Sequence, residues 1–245
     1  MHCQPSCKHE VYIWSKNIQH CLICDETTDS PHCVCNVCEN ELPWLLEHCD
    51  LCALPLPMDG LTCGQCLKQP PAYKQVIAPW TYNFPIDSLI SRFKHQARWP
   101  LGQMLAHLLG EYVQHRFDNT ELTRPDALLP VPMARKRLRE RGYNQALMLA
   151  RWLSSDLAIP VNEHVLLRPL ETVAQQALSA KTRKRNLRGA FALAPDAQVH
   201  GRHFALVDDV LTTGATAHSL ARLLMNAGAR QVDVYCLART PKPGG

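Results

Sequence analysis

The chain has 245 residues, with 26 Lys and Arg against 22 Asp and Glu and 12 cysteines. That length has room for one domain of about 150 residues beside a small one. No stretch approaches the roughly 18 apolar residues a membrane span needs, which speaks against membrane insertion and leads us to expect a soluble, cytoplasmic protein.

In chain order, residues 1–20 read as a disordered tail in which Cys3 and Cys7 sit near His2 and His9. Next come four identical pairs, Cys21/Cys24, Cys35/Cys38, Cys49/Cys52 and Cys63/Cys66, each separated from the next by ten residues. A Cys-x-x-Cys turn can present two thiolates, and two such turns complete a tetrahedral zinc site, so eight cysteines predict two zinc ions. Disulfides would need an oxidising compartment, yet no apolar signal segment heads the chain and Cys236 is the one cysteine beyond residue 66. Spacing leaves sequential and interleaved pairing both open, the short equal spacers favouring two successive ribbons. Cys33 could compete with Cys35, whereas His20, His32 and His48 are surplus to the eight ligands. A zinc module of about 50 residues cannot bury a core without its metals.

Charge divides at the same place. Through Lys74 there are 4 Lys/Arg against 9 Asp/Glu, and from Gln75 onward 22 against 13. The excess in the second part suits phosphate groups, although it is common on solvated surfaces too. Around Pro70-Pro71 the chain reads as a linker, and VIAPWTY from Val76 as an edge strand. Amphipathic helices are expected over 85–93 and 101–117, with Leu101, Leu105, Leu108 and Tyr112 along one face. Ala127–Pro132 reads as a further strand that runs into Arg135, Lys136, Arg137, Arg139 and Arg141. A helix follows from Gln145 to about Leu157. The polar, basic stretch 172–191 reads as either a surface loop or a lid over a site.

Phe204–Thr216, FALVDDVLTTGAT, is the most telling stretch. Residues 204–207 predict a buried parallel strand ending at Asp208. Asp208 and Asp209 then stand where ligands of open parallel sheets lie. Thr212, Thr213, Gly214, Ala215 and Thr216 offer hydroxyls and a backbone free to approach an anion, at the positive end of the following helix. Ala217, Leu220, Ala221, Leu224 and Ala227 mark that helix, Gly228 its stop, and QVDVYCLA the next strand. Two acids can end a strand and a threonine can cap a helix with no ligand involved, but the joint pattern favours a phosphosugar site. It resembles the 5-phosphoribosyl 1-pyrophosphate (PRPP) motif of type I phosphoribosyltransferases. The resemblance implies that Asp208 and Asp209 hold the ribose hydroxyls and that residues 212–216 hold the 5′-phosphate.

A narrower resemblance rests on P-V-P at 130–132, R-x-R-G-Y-N-Q at 139–145, the run of Thr172, Gln175, Leu178, Ser179, Arg183, Asn186, Ala190 and Phe191, and then VDDVLTTGAT, all behind cysteine pairs. This arrangement resembles the ComF family of competence proteins, also known as GntX, over nearly all of the chain from Cys21. The implied fold class is α/β, a type I phosphoribosyltransferase-like parallel sheet flanked by helices and preceded by a small double zinc-ribbon module. The expected layout is a ribbon module over 21–67, a linker over 68–75 and the phosphoribosyltransferase-like domain over 76–245. Also implied are PRPP with magnesium, single-stranded DNA, and a competence helicase or other DNA-processing protein as partners. Arg183 joins the acid pair as a candidate catalytic residue, and Val131 and Pro132 join the cup as PRPP contacts. Arg135, Arg139, Arg141, Arg183 and Arg185 are candidates for pyrophosphate or nucleic acid. Two functions of different class follow: a PRPP-binding factor in the uptake or use of exogenous single-stranded DNA, or an active transferase on an unidentified nitrogenous acceptor.

Overall fold

The computed structural model describes residues 19–58, 60–169 and 190–242. The contacts divide the chain into two compact units, one through Asn40 and one from Glu41 onward.

In the first unit, β1 (Gln19–His20) and β2 (Thr27–Thr28) pair antiparallel, and the turn between them carries Cys21 and Cys24. Asp25 takes a left-handed φ of 67°, which reverses the chain directly after the pair. Its N–H donates to the Cys21 carbonyl at 2.9 Å, and the Cys21 N–H to Glu26 at 2.8 Å. Helix α1 (Asn36–Asn40) begins just past Cys35 and places Cys38 on its first turn.

The second unit opens with the same device. Ala53 has φ 52°, its N–H donates to Cys49 at 2.9 Å, and the Cys49 N–H donates to Leu54 at 2.9 Å. Helix α2 (Gly64–Lys68) starts just past Cys63 and carries Cys66. Beyond it lies a parallel sheet. One edge is formed by β3 (Val76–Ile77) and β4 (Trp80–Thr81), the two interrupted by Pro79. The order continues through β9 (Gln231–Arg239) and β8 (His203–Leu211) to β5 (Ala127–Pro130) at the far edge. Every pairing in this sheet is parallel. Its flanking helices are α3 (Ile86–Gln96), α4 (Trp99–Asn119), α5 (Arg135–Arg141), α6 (Gln145–Leu157) and α7 (Ala215–Asn226). A two-stranded antiparallel pair, β6 (Leu166–Leu167) with β7 (Ala192–Leu193), lies outside the sheet. A parallel α/β sheet with helices on its faces, in a chain that begins with Cys-x-x-Cys modules, is the fold class expected from the sequence.

Alternation along the strands assigns the faces. Leu128, Ala205, Val207 and Tyr235 are buried on the side of α4 and α6. The alternate residues Ala127, Leu129, Phe204, Leu206, Val232 and Val234 form one core with Ala217, Leu220, Ala221 and Leu224 of α7. That same core includes Leu45, Tyr73, Cys49, Cys52, Cys63 and Cys66. The second cysteine set thus shares its core with the sheet, within the unit that starts at Glu41. Residues 72–74 are bound into the fold by hydrogen bonds. The Ala72 N–H donates to His218 Nδ1 at 3.1 Å, and the Lys74 N–H donates to Val232 at 2.8 Å. Trp44 pairs with Trp80 across an antiparallel bridge, their rings 5.6 Å apart.

Strand β8 also departs from expectation. It does not end at Asp208 but runs on to Leu211, because β9 continues beside it and pairs Asp208 with Cys236 and Leu211 with Arg239.

Candidate functional site

The cysteine pairs combine sequentially. Cys21, Cys24, Cys35 and Cys38 form one group and Cys49, Cys52, Cys63 and Cys66 another, the four sulfurs of each lying within 4.8 Å of one another. Zn–S bonds of about 2.3 Å in a tetrahedron give edges of roughly 3.8 Å. The Cys24–Cys35 and Cys52–Cys63 sulfurs are 3.7 Å apart, so both sets fit a tetrathiolate ion. In the second set, burial and the neighbouring cysteines push the Cys66 thiol far up, while backbone donors at Cys63, Cys52 and Leu51 outweigh burial and bring Cys49 down to about 7. Cys33 lies outside both sets and donates to Gln19 Oε1 at 3.4 Å.

Asp208 and Asp209 occupy the floor of a cleft of about 980 Å³ above β8. Each accepts from the next backbone amide, Asp208 from the Asp209 N–H at 2.9 Å and Asp209 from the Val210 N–H at 2.7 Å. Lys94, from the end of α3, lies 3.0 Å from the Asp209 carboxylate. Among the described residues Asp208 has no such close cation. Burial and the charge of Asp209 push its carboxyl up to about 7, against the smaller opposing pull of the Asp209 N–H, Lys94 and Arg168. One acid of the pair is thus ion-paired and the other poised near neutrality.

Past Leu211 the chain turns into the cup. Gly214 sits at φ 71° as the N-cap of α7, a conformation open to glycine at little cost. A Cβ there would stand 3.1 Å from the Tyr73 hydroxyl. Thr212 and Thr216 line the cleft, while the Thr213 hydroxyl lies 3.4 Å from the Ala215 N–H. From the opposite side the P-V-P segment contributes Val131 and Pro132.

The R-x-R-G-Y-N-Q motif resolves into separate structural tasks. Gly142 ends α5 at φ 81°. The Tyr143 hydroxyl donates to the Phe93 carbonyl. Asn144 caps α6 by accepting the Ala146 N–H at 3.0 Å, and donates to Val131 at 3.1 Å. Gln145 is 1% exposed and lines the cleft, and its amide nitrogen has no hydrogen-bond partner among the described residues. A buried donor left unmatched at the edge of a cleft is a mark of a ligand's place.

Of the basic candidates, Arg141 and Arg137 line the cleft, whereas Arg135 and Arg139 stay outside its wall. Helix α5 buries none of its residues, so much of the run is solvated. Arg183 and Arg185, with the rest of the expected lid up to residue 189, lie outside the described residues. Lys94, Gln145 and Arg168 were missed as site residues from sequence. Lys94 follows the buried Phe93 on an amphipathic helix with no local motif, and Arg168 follows β6, its guanidinium 5.1 Å from the Phe191 ring centroid. Only the fold brings either to the acid pair. No helix among the described residues is long and apolar enough to cross a membrane.

No protein-family model matches the chain. It is 37% identical over 207 residues to the DNA utilization protein YhgH of Escherichia coli K12, covering 84% of this chain and 90% of the relative. Identity to competence protein F of Haemophilus influenzae is likewise 37% over 207 residues, with the same coverage. Among solved structures, a purine phosphoribosyltransferase from Pyrococcus horikoshii superposes with a TM-score of 0.34 at 18% identity, over 55% of this chain and 70% of that one. By its identity to these two relatives over most of their length and its own, the chain belongs to the family of competence protein F and YhgH, the ComF family.

Proposed function

We propose that the cleft above β8 binds PRPP with magnesium, that each cysteine set carries one zinc ion, and that the protein acts in the uptake or use of exogenous single-stranded DNA. The observation that carries the first part is the side-by-side placement of the Asp208/Asp209 pair and the Gly214 cup at the start of α7. Carboxylates accept from the ribose hydroxyls, and the cup offers hydroxyls, backbone N–H groups and the positive end of a twelve-residue helix to the 5′-phosphate. The Gln145 amide supplies a donor to the same ligand. Magnesium, bound with the pyrophosphate, supplies charge neutralisation of that group, and Arg137, Arg141 and Lys94 add to it from the cleft wall. The role in DNA use is drawn from the relatives' names, competence protein F and DNA utilization protein.

A second reading, turnover of PRPP on a nitrogenous acceptor, is favoured by the extent of the cleft. It reaches past the acids to His95, Ala97 and Tyr143, which leaves room for an acceptor beside the sugar. In such a reaction the acids orient the ribose while pyrophosphate leaves, and the cationic wall stabilises the leaving group.

The experiment is to titrate PRPP with magnesium into the protein by calorimetry and to measure pyrophosphate release from the same mixture, each with and without single-stranded DNA. Binding without pyrophosphate release supports the non-catalytic factor. Release at a steady rate supports the transferase. No binding under either condition refutes both.

A further inference from the structure

Arg239 closes β9 and is 6% exposed. Its guanidinium connects two parts of the chain that the sequence sets 187 residues apart. On one side Nε donates to the Cys52 carbonyl at 2.9 Å. On the other, Nη1 donates to the carbonyls of Leu211 and Thr212, which open the cup, and to Thr240 at 2.8 Å. Cys52 is a member of the second cysteine set and lies in the turn closed by the Ala53 N–H to the Cys49 carbonyl, so Arg239 holds the backbone of a ligand residue directly.

Two more contacts run the same way. Tyr73, buried in one core with Cys52 and Cys66, places its hydroxyl where a Cβ on Gly214 would be 3.1 Å distant. The neighbouring Ala72 N–H donates to His218 Nδ1, in the first turn of α7. The cup therefore leans on the second cysteine module through a fixed cation and a buried ring. An arginine suits this place, because its rigid planar fork can donate to carbonyls on two sides at once, whereas a lysine is a single point charge. Four thiolates on a divalent ion also leave a net negative charge, which a neighbouring guanidinium offsets.

The geometry points to Arg239 as a positioning residue that ties the shape of the phosphate cup to the integrity of the second cysteine set, so that PRPP affinity and metal retention at Cys49, Cys52, Cys63 and Cys66 are linked. The inference rests on the reading of the cup as a PRPP site. Linkage is reciprocal: if metal at this set orders residues 211–216, ligand in the cup must in turn hold the metal more tightly. The first cysteine set takes no part in it.

Hydrogen exchange of the full-length protein, resolved to peptides covering 49–66 and 211–218, tests this. Stripping metal from the wild type with a chelator is expected to speed exchange at 211–218 by roughly tenfold or more, the scale set by lost hydrogen bonds to a charged donor. Exchange at Phe204–Val207, in the middle of β8, speeds up by a smaller factor than at 211–218, the factor set by the lowered stability of the whole sheet. Arg239→Lys, with metal present, gives the same acceleration in both peptides. In the metal-loaded wild type, PRPP with magnesium slows exchange at 49–66 as well as at 211–218. A Cys24→Ser variant, lacking the first set, responds to the chelator at 211–218 as the wild type does.

Exchange at 211–218 that ignores metal removal overturns the proposal, as does a response that disappears in Cys24→Ser. If Arg239→Lys fails to fold, the chelator experiment on the wild type decides alone. Should PRPP protect neither peptide, the PRPP reading falls, and the metal-removal arm still decides whether the cup and the cysteine set are coupled.

Discussion

Asp208→Asn is expected to stabilise the protein in the absence of ligand while removing its function. The carboxyl of Asp208 is displaced upward from 3.8 to about 7, chiefly by burial and then by the charge of Asp209. Three units of displacement correspond to about 4 kcal/mol of unfavourable interaction for the ionised form. Because the cleft is open to water, screening reduces that to about 1–2 kcal/mol. The sign follows from proton uptake. Between about pH 4 and 7 the folded state binds more protons at this site than the unfolded chain, so stability falls as pH rises through that window and the full cost is present above pH 7. Asparagine carries no such cost and keeps an oxygen for the Asp209 N–H. Urea unfolding at constant zinc concentration should therefore show Asp208→Asn more stable than wild type by about 1–2 kcal/mol at pH 8, with most of the gain gone at about pH 4. A variant that is less stable at pH 8, or equally stabilised at both pH values, refutes the reasoning that the acid pair is held in the cleft at an energetic cost.

Four further outcomes follow from the geometry. Elemental analysis should find two zinc ions per chain, and Cys63→Ser should lower the cooperative unfolding transition of the sheet, whereas Cys38→Ser should leave that transition in place. Gly214→Ala should cost about 1–2 kcal/mol of stability, since φ 71° is left-handed and the added methyl meets Tyr73; calorimetric melting checks it. Gln145→Leu should weaken PRPP binding by about tenfold or more, the value of a hydrogen bond to a charged acceptor, with stability unchanged or raised because an unmatched buried donor is removed. If single-stranded DNA follows the basic wall, its affinity should fall with salt at a slope of about −0.7 per phosphate contact. Arg137→Glu with Arg141→Glu should then flatten that slope, and PRPP should compete with the DNA if the two share the cleft.

What the sequence made legible was local. The fourteen-residue cysteine period, the FALV run before two acids and the glycine in the turn before α7 each express their chemistry within a few neighbours, and each stands where expected. Pairing geometry was not local. Strand β8 continues through Asp208 and Asp209 because β9 satisfies its backbone, something no window around residue 208 contains. Lys94 and Arg168 reach the acid pair from α3 and from beyond β6, and Arg239 reaches the Cys52 carbonyl across most of the chain. The shared core of the sheet and the second cysteine set was hidden for a related reason. Pro70-Pro71 and the ten-residue spacers make the cysteine region look uniform, yet Leu45 and Tyr73 are apolar and bury in the core of the sheet with the second set. A tyrosine in an apparent linker was the one signal of that.

The most direct measurement is calorimetric titration of PRPP with magnesium into the metal-loaded wild type and into a variant carrying Asp208→Asn and Asp209→Asn together. Saturable one-site binding to the wild type, lost in a variant whose unfolding transition remains cooperative, is the predicted result. Equal affinity in a folded double variant, or no binding to the wild type, contradicts the claim that the cleft above β8 is a PRPP site.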